Sequence, residues 1–372
     1  MGGKGMKKLK YIAMVLFVMV MTTVFPVETA ADSNSNKVDI IGKSAIVVDV
    51  ETGDVLYGKN TEVKRYPASI TKIMTALITL ERCDLDEKVT FSKEALYSIE
   101  SGSSAAYIKP GEVLTVEQSL YVMMLHSAND VAHGLAYYVG GDLPGFAELM
   151  NGKAKQLGCT NTNFVNASGL HDDNHYTTAA DMAKIARAAY ENTTLRKIMR
   201  TTRYDLEATN QYDSVRTWIN GNRMIRNGSE YYYEPCLGGK TGYTITAGGT
   251  LVTYANINHR VLACVILKSE NSATAYSDSI KLYKHVEKNG DFSPYEKKSD
   301  ATTAVTTEVD HSGEEISYHK APTVMDRVIL GVKIGVIILA ILCVVVIFRI
   351  IYVQRIKRAR RRKRQQARRR KR

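Results

Sequence analysis

The spacing of apolar side chains between residues 38 and 290 alternates between the period of two typical of strands and the 3.6 typical of helices. Strand-like stretches are predicted near both ends of this region, at residues 45–50, 56–58, 249–256 and 261–268. Helices are predicted between them, at residues 70–78, 114–125, 130–138 and 181–190. This order predicts an α/β (α+β) domain, in which helices flank an antiparallel sheet whose first and last strands meet.

Two longer apolar runs lie outside this region. Residues 11–27 follow several lysines and precede small residues up to Ala31, which is the pattern of a secretory signal peptide over residues 1–31; an uncleaved anchor is the alternative. Residues 328–348 are apolar except for Lys333, and at ~1.5 Å per residue they can cross a bilayer core of ~30 Å. We therefore expect a single transmembrane helix at the C-terminus, with residues 38–290 outside the cytoplasm.

Charge is distributed unevenly along the chain. The net charge is +12, but residues 349–372 hold fourteen Lys or Arg and residues 1–31 carry a net +3, so residues 32–348 carry −5. A generally basic nucleic-acid-binding protein is therefore excluded, and we expect no nucleic-acid partner. The tail is typical of a polybasic cytoplasmic flank that contacts membrane lipid. Residues 291–323 are polar and are predicted to be a flexible linker.

The first candidate catalytic residues are Ser69 and Lys72, which lie three residues apart at the start of the predicted helix 70–78. Residues at this spacing share a helix face, so the serine hydroxyl and the lysine amine can meet. Lysine can accept a proton only when it is neutral, which requires its pKa to fall from ~10.4 to roughly 7 through burial and a nearby cation. The spacing alone is weak evidence, because Ser317 and Lys320 repeat it in the linker.

Two further motifs strengthen this prediction. Ser127 and Asn129 lie between two predicted helices, where a loop can direct a hydroxyl and an amide into a cleft. Lys240, Thr241 and Gly242 form a motif that occurs once in the chain, after two glycines that would let a substrate backbone lie along a strand edge. Lys240 would supply the second cation. The three motifs occur in the order used by penicillin-recognising serine enzymes.

On these motifs the sequence resembles the serine D-alanyl-D-alanine carboxypeptidases, the low-molecular-mass penicillin-binding proteins. The likeness covers about residues 38–290, and the further segments that carry it are residues 66–69, 126–130, 150–151, 157–158, 166–170, 177–183 and 220–222. The resemblance implies a penicillin-binding-protein/β-lactamase-like transpeptidase fold and a cofactor-free enzyme. It also implies that the enzyme removes the terminal D-alanine of peptidoglycan stem peptides and is acylated by β-lactams.

The resemblance also implies roles for individual residues. Ser69 would be the acylated nucleophile, Lys72 its general base, and Ser127 a proton relay. The residues that would bind substrate are Asn129, Lys240, Thr241, Gly242 and Tyr243. The oxyanion hole would be formed by the backbone N–H groups of Ser69 and Tyr243.

The chain also departs from the family. Its polar linker leaves no room for the small β-rich domain that often follows the catalytic domain. Many members carry an arginine after the Lys-Thr-Gly strand that holds the substrate carboxylate, but no arginine lies between Arg260 and Arg327. Carboxylate recognition would then fall to Lys240, Thr241 or Lys268.

Two other functions are weighed against the carboxypeptidase. A catalytically weak, membrane-tethered binding or sensor protein is suggested by the missing arginine and opposed by the three intact motifs. A β-lactamase is disfavoured, because no Glu between Ser127 and Lys240 has Asn four residues later, as class A enzymes require. We interpret His171 and His175 with the acids between them as a loop rather than a metal site.

Overall fold

The computed structural model describes residues 38–100 and 102–290. The predicted signal peptide, the linker, the transmembrane helix and the basic tail lie outside the described residues. Within the described ranges, no helix combines the length and the apolar character needed to cross a membrane.

The strands form one large sheet and two small two-stranded sheets. In chain order they are β1 (Ser44–Asp49), β2 (Val55–Lys59), β3 (Lys88–Thr90), β4 (Val113–Thr115), β5 (Arg203–Leu206), β6 (Arg216–Ile219), β7 (Cys236–Thr244), β8 (Gly248–Ile257) and β9 (Arg260–Ser269). The large sheet has the order β2-β1-β9-β8-β7, and all of its neighbours are antiparallel. Pairing of β1 with β9 confirms the prediction that the first and last strands meet.

Helices cover both faces of this sheet. They are α1 (Lys72–Arg82), α2 (Lys93–Tyr97), α3 (Val116–His126), α4 (Asn129–Gly140), α5 (Leu143–Gln156), α6 (Ala179–Glu191), α7 (Thr193–Arg200) and α8 (Ser272–Asn289). Successive strand residues point to opposite faces, so Val47 packs into the core beneath α8 while Val48 packs into the larger core shared with α1, α4 and α6. This two-sided burial explains why β8 and β9 are almost continuously apolar.

The structure differs from the predicted elements at several boundaries. The predicted helix 114–125 begins later, because Leu114 pairs with Val89 in the small β3–β4 sheet. Thr115 then forms a capping box with Gln118 and starts α3 at Val116. A 3₁₀ turn over Ala68–Thr71 precedes α1, so Ser69 lies in that turn and not in the α-helix.

Helix α8 closes the fold by binding the start of the chain. Its Asp278 is fully buried, and the carboxylate accepts hydrogen bonds from the backbone N–H groups of Ile41 and Gly42 at 3.1 and 2.7 Å. The residues before β1 are thereby held to a helix more than 230 positions later in the chain. Asp278 thus makes a long-range connection that the sheet alone does not provide.

We expect Asp278→Ala to lower the free energy of unfolding by ~3 kcal/mol, because two backbone donors lose a charged acceptor. Urea denaturation measures this change. Asp278→Asn retains one acceptor oxygen and should lose less. Asp54→Ala is the exposed control and should change stability by less than ~0.5 kcal/mol; equal losses at the two positions would contradict a structural role for Asp278.

Candidate active site

Ser69 is held in a strained turn between two close backbone contacts. Ala68, immediately before it, has a φ of 51°, which is uncommon for a residue with a side chain. Gly169 approaches from one side so closely that a β-carbon there would lie 1.9 Å from the Ala68 carbonyl oxygen. Gly242 of β7 approaches from the other side, where a β-carbon would lie 2.7 Å from the Ser69 nitrogen. Glycine is therefore required at both positions to bring these segments to Ser69.

Lys72 lies in the first turn of α1 and is completely buried. Its Nζ is 3.3 Å from Ser69 Oγ, 2.7 Å from Asn129 Oδ1 and 2.6 Å from the carbonyl oxygen of Ser168. A neutral amine has two N–H groups and one lone pair. The two shorter contacts match the two N–H groups, which leaves the lone pair for the hydroxyl proton of Ser69.

Burial lowers the pKa of Lys72 well below its usual value, and the nearby charge of Lys240 lowers it further. Asp130 acts in the opposite direction and raises it. Burial also lowers the pKa of Lys240 to about 7. The environment therefore favours the uncharged form of Lys72, as its use as a base requires.

Ser127 and Asn129 lie at the junction of α3 and α4, as the sequence predicts. Ser127 is half-buried and has a left-handed φ of 62°, and Asn129 begins α4. Asp130 fixes this junction, because its carboxylate accepts hydrogen bonds from the backbone N–H groups of Ala106 and Ile108. Asn129 reaches Lys72 directly, whereas the Ser127 hydroxyl forms no hydrogen bond within the described residues.

The Lys-Thr-Gly motif lies within β7, at the edge of the large sheet. Lys240 is buried and donates to the carbonyl oxygen of Thr241 at 2.9 Å, while Tyr243 is 54% exposed. The two preceding glycines are also required for packing. β-Carbons on Gly238 and Gly239 would lie 2.4 Å from the Met199 carbonyl oxygen and 2.0 Å from the Val252 carbonyl oxygen. They therefore permit close packing of β7 against α7 and β8.

The structure also identifies contacts that sequence reasoning missed. Ser168 contributes a main-chain oxygen, which has no signature in the residue type. His175 is buried and accepts a hydrogen bond from the Val165 N–H through Nδ1, so Nε2–H donates to Thr71 Oγ1. It therefore serves as a structural link to the 3₁₀ turn that contains Ser69. Within residues 38–100 and 102–290 no cluster of His, Cys, Asp and Glu is suited to a metal ion.

The candidates for carboxylate binding lie in different settings. Lys240 faces the buried side of the site, close enough to Lys72 to affect its pKa. Lys268 is exposed, and its ammonium donates to the carbonyl oxygen of Thr246 in the turn between β7 and β8. Residues 272–275 follow the last strand and form the first turn of α8, where Ala275 is buried in the core and offers no charge.

Comparison with known proteins identifies the family. The peptidase S11 family model, described as D-alanyl-D-alanine carboxypeptidase, matches residues 29–271. The chain belongs to this family. Among its relatives, the D-alanyl-D-alanine carboxypeptidase DacF of Bacillus subtilis is 35% identical over 60% of this chain, and the match spans only 56% of DacF. The D-alanyl-D-alanine carboxypeptidase of Streptomyces sp. K15 is 32% identical over 62% of this chain and 82% of its own length.

The D-alanyl-D-alanine carboxypeptidase fold is confirmed by solved structures. The crystal structure of the Streptomyces K15 DD-transpeptidase superimposes with a TM-score of 0.62 at 31% identity, over 67% of this chain and 98% of that protein. A D-alanyl-D-alanine carboxypeptidase from Mycobacterium tuberculosis gives a TM-score of 0.61 at 27% identity, over 67% and 91% of the two chains. The predicted fold, helices on an antiparallel sheet, is therefore correct.

The low pKa of Lys240 predicts how stability depends on pH. The unfolded chain keeps this proton up to ~10.4, whereas the folded protein releases it at about 7, so between these values the unfolded state binds more protons. The free energy of unfolding should therefore rise with pH across this window, and Lys72 contributes in the same direction.

We expect Lys240→Met to raise the free energy of unfolding at pH 7 by roughly 3 kcal/mol, because an uncharged side chain of similar shape replaces a buried amine. The variant should also gain less stability than the wild type between pH 7 and pH 9.5. Urea denaturation at both pH values measures the difference; parallel pH profiles would contradict the assigned pKa.

Proposed function

We propose that the chain is a membrane-anchored, extracytoplasmic serine DD-carboxypeptidase that removes the terminal D-alanine from peptidoglycan stem peptides. The observation that carries the proposal is the contact of the buried Lys72 amine with the Ser69 hydroxyl at 3.3 Å. Two other acceptors already hold the N–H groups of that amine. Family membership supports the choice of substrate.

In the proposed reaction, the first step is acylation of Ser69. Lys72 takes the hydroxyl proton as Ser69 Oγ attacks the carbonyl carbon of the penultimate D-alanine. Negative charge develops on the carbonyl oxygen, where the backbone N–H groups of Ser69 and Tyr243 stabilise it. The close approach of Gly242 to Ser69 supports this pairing. The departing D-alanine amine receives a proton through Ser127, and water then releases the shortened peptide from Ser69.

Substrate would lie along β7. An edge strand offers unpaired backbone groups, to which an extended peptide can add as a further strand. The terminal carboxylate would then be held by Lys240 and Thr241, and Asn129 would hold a substrate amide. A β-lactam would acylate Ser69 by the same steps, because its strained amide occupies the place of the D-Ala-D-Ala bond.

The proposal also places the domain at the membrane. The predicted signal peptide would export the domain, and residues 328–348 would hold it at the membrane with the basic tail in the cytoplasm. The domain would then work beside its cell-wall substrate. These elements lie outside the described residues, and their support is the hydropathy and charge pattern of the sequence.

We expect the protein to release D-alanine from a peptide that ends in D-Ala-D-Ala, as measured by mass spectrometry of the products. Amidation of the C-terminus should slow release about tenfold or more, because a charged hydrogen-bonding partner is lost. Ser69→Ala should abolish both release and labelling by a fluorescent penicillin. Labelling of the alanine variant would show that the nucleophile is another residue; equal rates on the two peptides would contradict carboxylate recognition.

We expect Lys72→Arg to slow penicillin acylation by about 100-fold or more, since guanidinium keeps the positive charge but cannot accept the serine proton. Stopped-flow fluorescence with a labelled penicillin measures the rate. Lys155→Arg, on the exposed side of α5, is the matched control and should behave as the wild type. Near-normal acylation by Lys72→Arg would exclude lysine as the base.

A further inference from the structure

His133 is a buried imidazole that the proposed reaction does not use. It lies on α4 one turn after Asn129 and is only 3% exposed. Its Nδ1 is 2.7 Å from Ser98 Oγ, and its Nε2 is 3.2 Å from Ser168 Oγ. Burial and the neighbouring Lys72 lower its pKa to about 4, so it is neutral at neutral pH.

The hydrogen-bond network determines which nitrogen carries the proton. The Ser98 hydroxyl donates to the carbonyl oxygen of Ala95 at 2.7 Å, so its oxygen accepts from His133 Nδ1–H. Nε2 is therefore an acceptor and needs a donor, which the Ser168 hydroxyl supplies. The same hydroxyl lies 3.3 Å from Asn166 Oδ1, but that oxygen already accepts from two backbone N–H groups. Ser98 thus fixes the imidazole so that its lone pair points towards Ser168.

Ser168 links this imidazole to the base. Its hydroxyl is bound by His133, and its main-chain oxygen accepts from Lys72 Nζ at 2.6 Å. The other acceptor for Lys72 is Asn129, on the same helix as His133 and one turn before it. Helix α4 therefore contacts both acceptors of the Lys72 amine: Asn129 lies on the helix, and His133 on the same helix binds Ser168.

We propose that His133 is a positioning residue for Lys72: it holds the Ser168 segment against α4, so that the Ser168 carbonyl keeps the amine lone pair directed at Ser69. The inference rests on the proposed acylation of Ser69. The turn that contains Ser168 is also held by Asn166, because Asn166 Oδ1 accepts hydrogen bonds from the backbone N–H groups of Ser168 and Gly169. Loss of His133 therefore displaces the carbonyl without unfolding the segment, and it slows proton transfer without changing how substrate is bound.

The test is a double-mutant cycle on the full-length protein in detergent. The variants are His133→Leu, Ser168→Ala and the double variant, and a fluorescent penicillin is the probe. The penicillin dissociation constant and the acylation rate constant are obtained separately from the concentration dependence. Ser168→Ala removes the hydroxyl and keeps the main-chain oxygen, so it breaks the same link without disturbing the imidazole site.

We expect each single variant to acylate about fivefold more slowly, with a dissociation constant within about twofold of the wild type. The double variant should be no slower than the slower single variant, because both changes break one link. His133→Gln, whose amide oxygen can accept from Ser168, should recover most of the rate. Multiplicative slowing in the double variant, a changed dissociation constant, or failure of glutamine to rescue would each overturn the proposal.

Asp278→Ala is the control for a general loss of stability. This carboxylate is fully buried on α8, and its hydrogen bonds go to the backbone N–H groups of Ile41 and Gly42 rather than to any Lys72 acceptor. The variant should lose stability in urea while its acylation rate changes by less than about twofold. If the control variant and His133→Leu slow acylation equally, the His133 effect is a general loss of stability and not a loss of positioning. If the wild type itself is not acylated, the proposed function fails; wild-type rates in His133→Leu reject the positioning role alone.

Discussion

The burial of the Lys72 amine is the constraint on which the rest of the site depends. Its hydrogen-bond partners are neutral oxygen atoms from three separate segments, at Ser69, Asn129 and Ser168. They satisfy an amine but do not offset the desolvation of an ammonium ion. A second buried amine, Lys240, adds repulsion rather than compensation. The fold therefore favours the uncharged forms of both amines. Their burial lowers the free energy of unfolding, and the apolar cores on the two faces of the sheet offset this loss.

The sequence predicts only those parts of this arrangement that depend on the type and spacing of side chains. The period of apolar residues predicts four of the five strands of the large sheet, and spacing brings Ser69 to Lys72. The period does not predict β7, whose sequence is rich in glycine and polar residues. The carbonyl of Ser168 is a main-chain group, so its role appears only when residues 166–170 are packed against α1. Helix α8 was not predicted, because its buried face includes Asp278 and Ser279 and so lacks a continuous apolar stripe. The β3–β4 sheet has only three residues per strand, too short to show a period.

An exposed edge strand is ordinarily an aggregation risk, and the protein keeps one at β7. Glycine residues build the site in the same place. Gly239 requires a φ of 145° and allows β8 to approach closely, while Gly242 allows the 3₁₀ turn of Ser69 to pack against the strand. Thr250 of β8 donates to the Pro67 carbonyl oxygen at 2.7 Å, so this turn packs against β8 as well as β7. What remains open is the segment beside Ser69, where an added peptide strand would present its bond for attack.

The missing arginine makes the charge state of Lys240 decisive in the proposed reaction. Ala275 is buried and uncharged, and Lys268 reaches the turn after β7, so the cation built into the strand itself is Lys240. With a pKa of about 7, this amine is only half protonated at neutral pH. A substrate carboxylate favours the ammonium form, so binding would draw a proton onto Lys240. Recognition of the peptide terminus would then be coupled to proton uptake at Lys240.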